Sequence, residues 1–230
     1  MIKALATVLA LLPVAVYGDI IAARYSGETT RYMHGVFGRG FEYSTLEITS
    51  SDGSVTRIVL PENRVFEDTT PRLADMDGDG DNEVIVVETD VDLGAQLAIY
   101  DLNGKRAATP FIGRTHRWLA PVGTADFDGD GAQDVAYVET PHLGKTLKFW
   151  SLKGNVLHQI GEAIGLTNHR FGMGKISGGV RVCDGVAKAI TVSADWQFIV
   201  ATGLVNGVPE FTTVGPFKGE KSMADALVCK

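Results

Sequence analysis

Two short acidic stretches, 75–83 and 126–134, hold the side chains of this sequence best suited to binding a metal ion. Each places carboxylates at positions 1, 3, 5 and 9 of a glycine-rich loop, where they would repel one another without a cation. Ca²⁺ fits best, because its flexible shell accepts several carboxylates together with a backbone carbonyl. Residue 7, Asp81 or Ala132, would supply that carbonyl after a sharp turn at glycine.

The residues that follow each loop indicate strands. Segments 84–87 and 135–138 are β-branched or aromatic, a composition typical of strands. An EF-hand would carry a bidentate Glu at position 12, where this chain has Val86 and Tyr137. The sequence therefore predicts two calcium ions in loops that join strands.

The loops belong to a longer repeat, since Asp75 and Asp126 stand 51 residues apart. After each loop strand come a second strand, a tight turn and a third strand, and segments 44–56 and 196–211 fit the same pattern. No segment after residue 18 shows helical periodicity over three turns. The pattern predicts an all-β fold, a small β-propeller of four blades with four antiparallel strands each.

The blades can be placed along one domain that follows a signal peptide. Blade 1 lacks its first strand, and segment 222–229 resembles the first strands of blades 2 and 3. We therefore expect the C-terminal strand to join the N-terminal blade, which closes the ring and protects its edges. The predicted ranges are 1–18 for the signal peptide, 19–230 for the propeller domain, 19–60 with 222–229 for blade 1, 70–109 for blade 2, 118–160 for blade 3 and 170–213 for blade 4.

Blade 4 has lost the calcium ligands, and Lys175 stands where its acidic loop would begin. Cys183 follows in the same loop, and Cys229 ends the expected closing strand at the same face. Because blades 4 and 1 are neighbours in a closed ring, we predict a disulfide between Cys183 and Cys229. Two free buried thiols are the alternative.

The N-terminus has the features of a Sec-type signal peptide. Lys3 precedes a short apolar run over 4–12, and Val16-Tyr17-Gly18 is an acceptable cleavage site. The run is too short to span a membrane; an uncleaved anchor or a buried strand is the alternative. We therefore expect a periplasmic or secreted protein with no membrane span.

The net charge of the chain limits the kinds of partner that it can bind. The net charge is −7, and the nine carboxylates of the two loops account for it. Bound calcium would neutralise part of that charge, and an acidic protein is a poor match for nucleic acid. We expect a monomer without a nucleic-acid partner.

The two loops, each between a strand and a Val-rich strand, resemble the FG-GAP (VCBS-type) repeats of integrin α-chain propellers and of many bacterial exported proteins. Phe171-Gly172 matches the dipeptide that names the family. The resemblance implies a calcium-stabilised scaffold for binding, without specifying its ligand. Glu83 replaces the usual Asp, and integrin-like propellers have seven blades. The ligands that the resemblance implies are Asp75, Asp77, Asp79, Asp81 and Glu83, and Asp126, Asp128, Asp130, Ala132 and Asp134.

Propeller geometry sorts the loops onto two faces and places four histidines opposite the calcium loops. Convergent Arg and His favour an anionic ligand, since Arg offers a planar fork to carboxylate or phosphate. Three His could instead hold a transition metal, or the side chains could simply brace loops. The candidate ligand-binding residues are Arg31, His34, His116, Arg117, Trp118, His142, His169 and Arg170.

The sequence favours a binding or scaffold protein over an enzyme, since it has no nucleophile elbow, zinc-binding helix motif or phosphate loop. No catalytic residue is predicted. The alternatives are a hydrolase or lyase that acts on an anionic substrate through the His and Arg side chains, and an adhesion module. The partner would be an unknown protein, a glycan or an anionic small molecule.

Overall fold

The computed structural model describes residues 18–229 of the chain. The predicted all-β class is confirmed, because three antiparallel sheets and one short helix make up the described fold. The signal peptide predicted over 1–18 lies, apart from Gly18, outside the described residues. No helix among residues 18–229 is both long and apolar enough to cross a bilayer.

The first sheet contains the strands expected for blades 1 and 2. Its central strand is buried on both faces, which explains the uninterrupted Val-Ile-Val-Val run after the first acidic loop. The strands are β1 (Ile20–Thr29), β2 (Glu42–Ser50), β3 (Val55–Val59), β4 (Arg64–Phe66), β5 (Arg72–Ala74), β6 (Glu83–Asp90), β7 (Gly94–Asp101) and β8 (Gly104–Ala108). The main order is β1-β2-β4-β6-β7-β8, with β3 on β2 and β5 on β6.

A strand that the sequence did not predict makes this sheet continuous. β4 pairs with β2 through Phe66 and Tyr43, and with β6 through Arg64 and Asp90. Val65 and Phe66 are fully buried, so this short strand fills the space between the two expected blades. Blades 1 and 2 therefore share one sheet of eight strands instead of forming two separate sheets of four.

The second sheet holds four strands in the order β12-β11-β10-β9. These are β9 (Leu119–Ala125), β10 (Asp134–Glu139), β11 (Thr146–Lys153) and β12 (Val156–Ile164). Both faces are covered by apolar side chains: Val135 and Trp150 belong to the cluster shared with the first sheet, and Ala136 and Phe149 to the cluster shared with the third.

The third sheet has the order β13-β15-β16-β17, with β14 paired to β15. Its strands are β13 (Leu166–Thr167), β14 (Gly179–Cys183), β15 (Val186–Ser193), β16 (Phe198–Val205) and β17 (Val208–Pro216). The helix α1 (Glu220–Ala226) follows and packs on this sheet, where Met223 and Ala226 join the cluster around Ile190 and Ile199.

The predicted closing strand over 222–229 is therefore wrong. Residues 220–226 consist mainly of good helix formers without a β-branched residue, and their buried side chains, Met223 and Ala226, stand one helical turn apart. This apolar face packs on the third sheet, so within residues 18–229 the segment does not add a strand to β1. The three sheets remain open, and a closed ring of four blades is not formed.

The predicted disulfide is confirmed, but its role differs from the expected one. Cys183 and Cys229 are bonded, with 5.7 Å between their Cα atoms. Cys183 ends β14, and Arg181 of the same strand donates to the carbonyl of Ala226. The bond thus fixes the end of α1 to its own sheet and does not join blade 4 to blade 1.

The first and third sheets meet through loops. The loop between β1 and β2 crosses to the segment after β13, where Gly172 donates its N–H to the carbonyl of Val36 at 2.8 Å. Gly38 has φ of 73°, and a Cβ at this position would lie 2.9 Å from the Gly172 oxygen. Only glycine permits this approach, which brings the β1–β2 loop over the centre of the molecule.

Candidate functional site

The first acidic loop joins the end of β5 to the start of β6. Carboxylate oxygens of Asp75, Asp77 and Glu83 all lie within 4.8 Å of one another. Glu83 is the first residue of β6, and its Oε2 accepts the backbone N–H of Met76 at 2.8 Å. The start of β6 therefore brings the carboxylate of position 9 back to the carboxylates of positions 1 and 3.

The second loop repeats this arrangement between β9 and β10. Oxygens of Asp126, Asp128 and Asp134 lie within 4.8 Å of one another. Asp134 begins β10, and its Oδ2 accepts the N–H of Phe127 at 3.0 Å, the counterpart of the Met76 bond. Two segments 51 residues apart in sequence therefore hold carboxylates at the same three loop positions in the same way.

Glycine amides wrap each loop around its first carboxylate. Gly78 and Gly80 donate to Asp75 at 2.8 and 3.1 Å, and both have positive φ. Gly129 and Gly131 donate to Asp126 at 2.7 and 3.0 Å. These bonds orient the two oxygens of position 1 in both loops.

The two side-chain clusters do not include position 5, and the predicted carbonyl ligands of position 7 stay a prediction. The carboxylates of Asp79 and Asp130 at position 5 accept the N–H of residue 7, Asp81 or Ala132, at 2.9 and 2.8 Å. The side chains of position 5 thus face the backbone of their own loops. Ala132 has no side-chain oxygen and could offer only its carbonyl.

An arginine distinguishes the two clusters. Arg106 of β8 lies 2.5 Å from Asp77 and 3.1 Å from Glu83, so a guanidinium bridges two carboxylates of the first loop. By sequence offset, two positions after the glycine of the hairpin turn, the second loop's sheet has the exposed Val156, which pairs with Lys153 beside the turn. No cationic side chain forms an ion pair with the second cluster in the described part of the chain.

The second cluster therefore contains an uncompensated carboxylate. Asp134 is fully buried, and its Oδ1 has no hydrogen-bond partner among the described residues. Burial raises the pKa of the Asp134 carboxyl to about 6. A buried carboxylate that is grouped with two further carboxylates is a fitting donor for a hard divalent cation.

The four predicted histidines gather on the other side of the fold. His142 lies after the end of β10 whose start carries Asp134, so its loop is at the end of that strand opposite to the second acidic loop. The rings of His34 and His116 are 4.9 Å apart, and those of His142 and His169 are 5.2 Å apart. The exposed ring of Phe171 lies near both His34 and His142.

His34 is held by two buried glutamates. Its Nδ1 lies 2.6 Å from Oε1 of Glu67, whose other oxygen accepts the hydroxyl of Thr89 at 2.8 Å. Glu42 accepts the backbone N–H groups of Met33 and His34, both at 3.0 Å. One carboxylate thus orients the His34 ring while the other fixes its backbone.

The remaining candidates are tied more closely to the protein than an anion site would require. Arg31 donates to the carbonyl of Arg64 and contacts Glu62, and Arg170 stacks on Trp196 at 4.3 Å. Trp118 is buried and donates its Nε1–H to the carbonyl of Glu67 at 2.8 Å. Arg117 contacts only the carbonyl of His116 among the described residues, so it retains free donors.

The comparisons with known proteins agree with this geometry. Residues 75–137 match the model of a family described as FG-GAP-like repeat, a span that includes both acidic clusters and the strand after the second. The segment that carries both acidic loops is thus similar to an FG-GAP-like repeat. The resemblance drawn from the two loops is thereby confirmed, while no curated protein sequence matches the chain.

Three side chains that contact the candidate sites were absent from the sequence prediction. Arg106 comes from a strand outside the acidic loop, and neither Glu42 nor Glu67 lies in a recognisable motif. One signal was available, since Glu67-Asp68 follows the apolar pair Val65-Phe66. Charged residues next to a buried segment mark carboxylates that need a partner.

Proposed function

We propose that this protein is an exported binding or scaffold module in which two Ca²⁺ ions fix the two acidic loops. The observation that carries the proposal is the repeated convergence of positions 1, 3 and 9, with the same backbone bond to position 9 in each loop. All donors are carboxylate oxygens, the ligand type that calcium prefers. The family is consistent with this role, because the matched segment contains both clusters.

Calcium would act on the fold through strand ends. In the second loop, an ion bound by Asp126 and Asp134 joins the end of β9 to the start of β10. In the first loop, Asp75 and Glu83 join β5 to β6 in the same way. Each ion would also neutralise carboxylates that otherwise repel one another, so its binding free energy adds to the stability of the folded state.

We assign the ligand-binding surface to the face with the four histidines. The β1–β2 loop that covers this face runs from residue 30 to residue 41, and long loops on a rigid scaffold commonly carry binding residues. The bonds from Glu42 and Glu67 preorganise His34 in that loop. An anionic ligand would meet the free guanidinium donors of Arg117 at its edge.

Export is the location that suits this protein. The Cys183–Cys229 disulfide fits a protein that works outside the reducing cytosol. We propose that the predicted signal peptide over 1–18 directs it to the periplasm or the medium. Cell fractionation of the full-length chain, with mass determination of its N-terminus, tests this location.

Calcium titration with thermal unfolding tests the proposed module. We expect two equivalents of Ca²⁺ to bind and the melting temperature to rise; replacement of Asp126 by Asn should remove one equivalent. Asp52→Asn is the matched control, because Asp52 caps an exposed turn of the first sheet outside both clusters. A melting temperature that is unchanged by calcium would refute the structural role.

A further inference from the structure

Three imidazoles of the histidine face line one small hollow. His34, His116 and His142 surround a cavity of about 20 Å³ together with Trp118, Thr140 and Leu143. This volume is close to that of one water molecule or one ion, and far below that of an organic ligand. The size of the hollow and the chemistry of its walls both favour a single ion with nitrogen ligands.

The hydrogen bonds of His34 leave a lone pair on one defined atom. An ionised Glu67 can only accept, so Nδ1 of a neutral His34 ring would donate in their 2.6 Å contact and Nε2 would keep the lone pair. Only about one tenth of the His34 side chain is exposed, at 12%, and that of Glu67 is buried. Buried carboxylates commonly orient metal-binding histidines in this way.

The protonation of His142 is fixed through its neighbour. His169 Nε2 lies 2.9 Å from the carbonyl of Met173, which can only accept, so His169 carries its proton there. Neutral His169 must then accept at Nδ1 the proton of His142 Nε2, 2.9 Å away. His142 is left with an unprotonated Nδ1, the second nitrogen available to a cation.

His116 supplies the third ring. Its backbone is fixed at a φ of 53°, and its N–H donates to the hydroxyl of Tyr32 at 2.7 Å. Its imidazole stacks on that of His34 and has no hydrogen bond among the described residues. The ring nitrogens of His34, His116 and His142 do not form a group within the 4.8 Å spacing of the acidic clusters, so metal binding requires these rings to move closer together.

We propose that His34, His116 and His142 bind one divalent transition-metal ion, of the class of Zn²⁺, Cu²⁺ or Ni²⁺. Neutral imidazoles suit these ions and not Ca²⁺, so this site is chemically separate from the acidic loops. The buried Glu67 offsets part of the positive charge behind His34. A fourth position would stay open beside Arg117, where an anionic group of a ligand could complete the shell.

Metal binding in the presence of calcium tests this site. The full chain is stripped with chelator, returned to millimolar Ca²⁺ and titrated with Zn²⁺ by calorimetry and with Co²⁺ by visible absorption. We expect one equivalent of either metal with nitrogen coordination. Affinity should fall at least tenfold in His34→Ala and in His142→Ala, and tenfold to one-hundredfold in Glu67→Gln. His158→Ala, on the exposed surface of β12, is the matched control and should bind normally.

Several results would overturn the proposal: no stoichiometric binding by the wild-type chain, unchanged binding by the His34→Ala/His142→Ala variant, or equal loss in the His158 control. Each variant must keep the calcium-dependent rise in melting temperature, which separates loss of the site from loss of the fold. Nitrogen NMR of the wild-type protein tests the proposed metal site without any substitution. Zn²⁺ should shift the imidazole nitrogen resonances assigned to His34 Nε2 and His142 Nδ1, while His158 stays unchanged.

Discussion

Replacing Asp134 by Asn should stabilise the calcium-free protein and weaken the calcium-loaded one. Asn keeps an oxygen that can accept the N–H of Phe127, and its new amide hydrogens can be donated to Asp126 or Asp128. The substitution therefore preserves the loop and removes a buried charge that has no cationic partner in the described structure. Whether the substitution raises or lowers the stability of the folded protein depends on whether a cation occupies the cluster.

The pKa of Asp134 sets the size of this effect. A rise from the usual Asp value near 3.9 to about 6 corresponds to a cost of about 3 kcal/mol for the ionised form at neutral pH. The folded-state pKa is raised, so this cost is absent at low pH and is reached as pH rises through about 6. In a protein of this size, removing it should raise the melting temperature by roughly 6–12 °C.

With calcium the order of the two proteins should reverse. An ion present at a hundred times its dissociation constant stabilises the wild-type fold by about 2.7 kcal/mol per site. The Asn variant loses most of this gain at its second loop. In melting curves measured at pH 7.5, the Asp134→Asn variant should therefore melt above the wild-type protein in EDTA and below it in excess Ca²⁺.

Glu83→Gln is the matched variant, since Glu83 occupies the same position of the first loop. Burial raises the pKa of the Glu83 carboxyl, and the Arg106 guanidinium opposes that rise, so Glu83→Gln should raise the melting temperature in EDTA by less than Asp134→Asn does. If Asp134→Asn lowers the melting temperature in EDTA, the buried charge is compensated by another group. In that case, our account of the difference between the loops is wrong.

Three further predictions concern the arginine, the disulfide and the histidine face. Arg106→Met should raise calcium affinity at the first loop about tenfold, because a bridging guanidinium no longer has to leave; calorimetry on the Asp134→Asn background measures that site alone. Changing Cys183 and Cys229 together to Ala should cost about 4 kcal/mol by opening a 46-residue loop, measured by denaturant unfolding. Burial lowers the pKa of His142 to about 4, so metal-free protein should lose stability as pH falls from about 6.5 towards 4, and His142→Gln should flatten this part of the melting curve.

Local patterns carried most of the strand prediction. The Val-rich runs after the two loops and the glycine-containing hairpin turns have a short-range physical cause, the preference of these residue types for extended or tightly turned backbone. The strands β6 to β8 and β9 to β12 are close to the expected positions. The convergence of Asp75 with Glu83 also followed from spacing alone, because the loop that separates them is short.

Local sequence patterns could not show whether the sheets close into a ring. Segment 222–229 resembled a strand by its likeness to the segments before the acidic loops, but its conformation is decided by which surface buries Met223. The third sheet offers that surface only after it has folded. Likewise β4 is three residues long, and its pairing with both β2 and β6 is a long-range choice that its own sequence does not determine.

The same limit explains why two loops of one motif differ in chemistry. The motif specifies carboxylates and turns, while the charge that opposes them comes from a neighbouring strand. That strand supplies Arg106 to the first loop, and no cationic side chain pairs with the second cluster among the described residues. In the first loop a bound calcium must displace a guanidinium that already satisfies Asp77 and Glu83. In the second it meets an unpartnered oxygen of Asp134. We therefore expect calcium to fill the second loop first, and the difference in affinity between the loops to narrow in the Arg106→Met variant.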